Sequence, residues 1–167
     1  FNDDTLGPAQ QPWLDLIEKG ALPEVSAQNE DPGHYQTQDE WRWLLERNMA
    51  EGRGQHWLAH YHLGVMQLES LDAVGACKLW EKSNALKPNA WALRGLSLLA
   101  RRDGKRDESL EFLKQAWQTG PRTTALAIEL AQKLTRSERY AELQAFCAEL
   151  SEPARGHERI RIAAALA

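Results

Sequence analysis

Apolar residues recur along most of this chain three and four positions apart, the spacing of one face of a helix. Pro12-Trp13-Leu14-Asp15-Leu16-Ile17-Glu18-Lys19 predicts a two-turn helix with proline in its first turn and Gly20 at its end. Thr37 and Glu40 have the spacing of a capping box ahead of Trp41, Leu44, Leu45 and Met49, which predicts a second helix that Glu51-Gly52-Arg53-Gly54 stops. Around these helices the breakers Gly7, Pro8, Pro12, Gly20, Pro23, Pro32 and Gly33 crowd together, and Ser26 to Gly33 offers almost nothing apolar to bury. Residues 1–36 therefore read as a Pro/Gly-rich segment with one short helix, and 37–54 as a capping helix and linker.

From residue 55 the pattern repeats. A shift of 33 residues lays Ala59 on Ala92, Leu63 on Leu96, Gly64 on Ser97, Ala76 on Ser109, Leu79 on Phe112, Trp80 on Leu113 and Pro88 on Pro121. A shift of 34 then carries Leu96 onto Leu130, Ser97 onto Ala131, Phe112 onto Phe146 and Leu113 onto Cys147. Small positions fall on small and large on large. Each unit holds two helical stripes, with turns expected at Asp72-Ala73, Asp103-Gly104-Lys105 and Ser137-Glu138-Arg139. Gly64, Ser97 and Ala131 are expected opposite Ala76, Ser109 and their equivalents, where two helices approach closely, with large side chains filling the space between one pair and the next.

On these residues the pattern resembles the tetratricopeptide repeat, a 34-residue helix pair with a Leu-small dipeptide in its first helix and small, aromatic and proline positions in its second. Leu63-Gly64, Ala76, Trp80, Ser83 and Pro88 carry the resemblance in one unit, and Leu96-Ser97, Gly104, Ser109, Leu113, Ala116 and Pro121 in the next. The third keeps Leu130-Ala131, Tyr140 and Leu150, with Pro153 early. The resemblance implies an all-α fold, a right-handed α–α superhelix, or solenoid, of helical hairpins. Three repeats would span about 57–89, 90–123 and 124–154 within residues 55–154, followed by a truncated further helix at 155–167. It also implies a concave groove lined by Tyr61, Val65 and Leu68, then Arg94, Leu98 and Arg101, then Ile128, Gln132 and Thr135. The Lys and Asn of the carboxylate-clamp subset are missing, since Tyr61, Val65 and Arg94 stand in their places. An arginine beside exposed Tyr and Leu is still a mixture that peptide hot spots favour.

Composition narrows the function. The 167 residues are 43% apolar and 26% charged, which suits one soluble domain with a core. Apolar runs reach only about six residues, against roughly 18 for a membrane span, so no membrane partner is expected. Seven acidic residues against Lys19 alone give 1–36 a net charge of −6, whereas 37–167 is near neutral at +2. A near-neutral body does not predict nucleic-acid binding. Cys77 and Cys147 lie in helical patterns and suit reduced thiols in a cytoplasm. Opening on Phe1 rather than Met, the chain reads as part of a longer protein, and the resemblance to the repeat family implies a bacterial one.

No nucleophile or phosphate-loop motif is present, so neither an enzyme nor a cofactor is expected. His56 and His60 share a helix face at metal-ligand spacing, yet no further ligand motif accompanies them. The run Arg101 to Arg106 straddles a turn and reads as solvated. Trp41, Trp43 and Trp57 are expected to seal the N-terminal junction, and Trp80 and Trp117 to pack in second helices. Two functions follow: a module binding a protein or peptide segment in the groove, or an intramolecular scaffold or dimerisation element for an enzyme domain elsewhere in the parent protein. The second includes self-association and a groove filled by residues 1–36.

Overall fold

The structure, a computed structural model, describes Gly7, residues 10–28 and residues 32–167. Asp3, Asp4, Glu30, Asp31 and Pro8, which enter the reading of the opening segment, lie outside them. Among the described residues the chain is all-helical, without a strand. The helices are α1 (Gln11–Lys19), α2 (Asp39–Ala50), α3 (Trp57–Glu69), α4 (Ala73–Leu86), α5 (Ala90–Arg102), α6 (Arg106–Thr119), α7 (Thr124–Arg136), α8 (Tyr140–Glu149), α9 (Glu152–Arg155) and α10 (Glu158–Ala165).

Local chemistry sets several boundaries. Asp72, Asn89 and Thr123 cap α4, α5 and α7 by accepting from the amides of Gly75, Ala92 and Leu126 at 2.8, 2.8 and 3.2 Å. At α2 the expected Thr37–Glu40 box does not form. Gln38 is the N-cap and makes no side-chain cap bond, so the helix starts one residue too late for that spacing. Asp39 and Glu40 instead place negative charge on its first turn.

Four helices end alike. After α2, α3, α5 and α7 the chain turns through a left-handed residue, Gly52, Leu71, Gly104 and Glu138, at φ 84°, 64°, 76° and 54°. In each case the next amide reaches five residues back, as in Asp72 to the Gln67 carbonyl at 2.9 Å and Arg139 to that of Leu134 at 3.0 Å. The last three of these turns lie 33 and 34 residues apart, the same shifts that superimpose the sequence.

Each helix from α1 to α7 packs on the next, and α10 lies on α7 and α8. Buried side chains gather in three clusters in chain order. Trp13, Leu16, Leu45, Met49, Leu63 and Met66 join α1, α2 and α3. Trp57, Leu58, Tyr61, Ala76, Trp80, Trp91 and Leu96 join α3, α4 and α5. Leu110, Leu126, Leu130, Leu143, Phe146 and Ile160 belong to the third cluster. The Trp80 indole fills the space above Gly64 on α3 and Gly95 on α5, with its Nε1 donating to the Tyr61 carbonyl at 3.2 Å. Ser97 and Ser109 meet through their hydroxyls at 3.0 Å.

Two expectations are corrected. Trp43 does not seal the N-terminal junction: it is 60% exposed, because it lies two residues from Trp41 and so on the opposite side of α2. Trp41 meets Trp13 edge-on at 5.5 Å, and Trp57 is buried. The stretch Ser26 to Gly33 also buries side chains, since Ala27 and Pro32 are both sequestered.

Candidate functional site

α3 carries a run of large side chains, and the non-helical residues 22–28 and 32–35 cross over it. His56 Nε2 donates to the Leu22 carbonyl at 2.8 Å, Trp57 Nε1 to that of Val25 at 3.1 Å and His62 Nε2 to that of Pro32 at 3.1 Å. Trp13 Nε1 donates to the His34 carbonyl at 2.7 Å, and the Tyr35 and Tyr61 hydroxyls lie 2.9 Å apart. Gln28 Nε2 donates to the Thr119 carbonyl at the end of α6 at 2.8 Å. A segment with no ladder of its own thus satisfies its carbonyls on side chains of the helices beneath it. This strap covers Tyr61, which the groove reading leaves exposed but which is only 5% accessible. His62 lies between the rings of Trp13 and Tyr35, and burial pushes its imidazole down to about 4, against the opposing pull of the Pro32 carbonyl.

Beyond the strap the surface opens. A cavity of about 470 Å³ lies where α5, α6 and α7 meet, walled by Leu98 and Arg101, by Arg106 and Leu113, and by Gln132, Lys133 and Arg136. Glu129 also lines it, but that carboxylate accepts from Arg94 Nε at 2.9 Å. Arg94 Cζ in turn stands 5.7 Å from the centre of the Trp91 ring. A second hollow of about 290 Å³ shares Gln132 and Arg136 and extends to Thr135, Arg159, Ile162 and Leu166.

Leu98, Arg101 and Gln132 therefore come together at one cavity, with Thr135 beside them. Tyr61 belongs to the strap. Val65, Leu68 and Ile128 are half-buried against the cores, and Arg94 is engaged by Glu129. Sequence reasoning missed Arg106, Lys133 and Arg136 as cavity residues. The signal was present, for the run containing Arg101 and Arg106 stands out in the sequence, and Lys133 and Arg136 follow Gln132 by one and four residues on the same helix end.

Of the histidine pair only His56 is engaged, and neither ring nitrogen of His60 has a hydrogen-bond partner among the described residues. His56 gives its Nε2 to Leu22, and among the described residues no group of three His, Cys, Asp or Glu side chains is placed to hold a metal ion. Cys77 and Cys147 are free thiols whose pKa values burial raises. No described helix is long and apolar enough to cross a membrane. Neither a family model, a curated protein nor a solved structure matches the chain.

Proposed function

We propose that the chain is a protein-binding module of tetratricopeptide type, a right-handed superhelical stack of hairpins whose first helices receive a segment of another polypeptide. Order along the chain supports the stack: the left-handed turn residues recur at the period of the sequence, and one core cluster succeeds another. The observation that carries the function is the strap itself. Side chains of the first units already hold a non-helical run of polypeptide through its carbonyls, while the stretch over α5 and α7 is open at Leu98, Arg101 and Gln132. Main-chain capture of this kind accepts many sequences, and side-chain pockets then select among them. In this reading the module binds rather than catalyses and works in a bacterial cytoplasm, where its two thiols stay reduced.

A peptide array probed with the wild-type chain and with Gln132→Trp, which fills the cavity, tests the assignment. The variant is expected to bind the selected peptides about tenfold more weakly or less at an unchanged Tm; the same peptides bound equally by both proteins would overturn it. A second reading draws on the strap as well. Residues 22–28 and 32–35 occupy part of the binding face, which favours a scaffold whose own N-terminal segment completes the stack and so orients or dimerises a neighbouring domain.

A further inference from the structure

Among the described residues eight of the twenty lysines and arginines pair with a carboxylate, as Lys19 does with Asp15 at 2.9 Å, Arg42 with Asp39 at 2.9 Å, and Lys114 with both Glu111 and Glu142. Of the twelve cations without such a partner, four gather around the 470 Å³ cavity. Arg101, Arg106, Lys133 and Arg136 all line it, and none makes an ion pair among the described residues. The single carboxylate on the wall, Glu129, is taken by Arg94. Four like charges thus face one another across a hollow and repel, and an anion entering it would relieve that repulsion.

We propose that this cavity seats an acidic polypeptide segment, whose Asp and Glu carboxylates pair with Arg101, Arg106, Lys133 and Arg136. The inference deepens the reading of this face as a peptide-binding wall and rests on it. Three features select a polypeptide over other polyanions. The volume falls in the range of sites that enclose several side chains or a small ligand, so it exceeds the needs of a single ion. Leu98 and Leu113 supply apolar wall, while Gln132 can serve a backbone amide or carbonyl, so the lining suits a chain that alternates charge with apolar groups. The positive charge is also focal. The protein carries −4 overall and −6 in residues 1–36, so a long uniform polyanion is repelled elsewhere, whereas a short acidic run can pair within the cavity. The crowding has a local signature: burial, followed by Arg101, Arg106 and Arg136, lowers the pKa of the Lys133 ammonium.

The test is fluorescence anisotropy on the full chain with a labelled octapeptide of alternating Glu and Leu, its Gln-for-Glu counterpart, and an eight-residue oligothymidylate. The Glu peptide is expected to bind at least about tenfold more tightly than the Gln peptide and to weaken as salt rises. Arg101→Gln with Lys133→Gln is expected to lose about tenfold for the Glu peptide with Tm equal or higher, since repulsion is removed; Lys78→Gln, exposed on α4, is expected to change nothing. Equal affinity for the Gln peptide would overturn the acidic preference while leaving a peptide-binding wall. Tighter binding of the oligothymidylate, no binding of the Glu peptide, or a fall in Tm on neutralising the two cations would each overturn the inference, and the peptide array decides the wall separately.

Discussion

Gly64 and Gly95 sit inside helices, where replacing glycine by alanine ordinarily gains about 1 kcal/mol. Here the sign reverses. A Cβ on Gly95 would come within 2.6 Å of the Trp80 ring, and one on Gly64 would collide with its Nε1, which is committed to the Tyr61 carbonyl. Gly64→Ala is expected to lose about 1–3 kcal/mol through overpacking, read as a lower urea midpoint; a gain would mean that the indole has room to move. The sequence made the smallness of position 64 legible through its alignment with Ser97, but not the identity of the group that uses the gap, because a period marks faces and not partners. Tyr61 was illegible for another reason. The strap that covers it is held through carbonyls, which every residue carries, so no residue type in 22–28 or 32–35 announces the attachment.

At the scale of the element, three hairpins use the same turn with different residues at its left-handed position. Gly104 adopts φ 76° freely, whereas Leu71 and Glu138 hold positive φ at a steric cost. Leu71 is also 84% exposed, so its side chain contributes almost no burial. Leu71→Gly is therefore expected to stabilise the chain by about 0.5–1 kcal/mol, the relieved strain outweighing the greater freedom glycine gives the unfolded state. Gly104→Ala is the converse: nothing stands within 4 Å of an added Cβ, so its expected loss of about 1 kcal/mol is a backbone effect alone. Urea midpoints that move the same way for both variants would refute the shared-turn account. The helix breaks at 103–105 and 137–139 were visible as short polar runs between apolar stripes, whereas the first turn, expected at Asp72-Ala73, lies at 70–72 with Ala73 already in α4, because Leu71 interrupts the polar signal there. The start of α2 was not, because a capping box must fall in one register and Thr37–Glu40 misses it by a residue.

For the whole molecule, what matters is how the strap and the hairpins hold each other, and His62 reports on it. In the unfolded chain this imidazole titrates near 6.5; in the fold, burial chiefly and the nearby His56 to a lesser degree bring it to about 4. Between those values the unfolded chain binds a proton that the folded chain refuses. Stability from this group is thus complete above pH 6.5 and declines as the pH falls towards 4, by up to about 3 kcal/mol. His62→Gln keeps a donor for the Pro32 carbonyl but cannot titrate, so its stability is expected to fall less steeply over that window. A residual slope remains from His60, whose imidazole partial burial and Lys82 also push down. Because His62 donates to Pro32 and packs on Tyr35, acid should release the strap before the hairpins unfold. Hydrogen exchange at pH 5 is expected to accelerate first in residues 22–28 and 32–35 of the wild-type chain, and not in His62→Gln. Equal acid slopes in the two proteins, or simultaneous exchange of strap and helices, would show that the strap is an inseparable part of the core, as the scaffold reading requires, rather than a polypeptide segment held on a binding face.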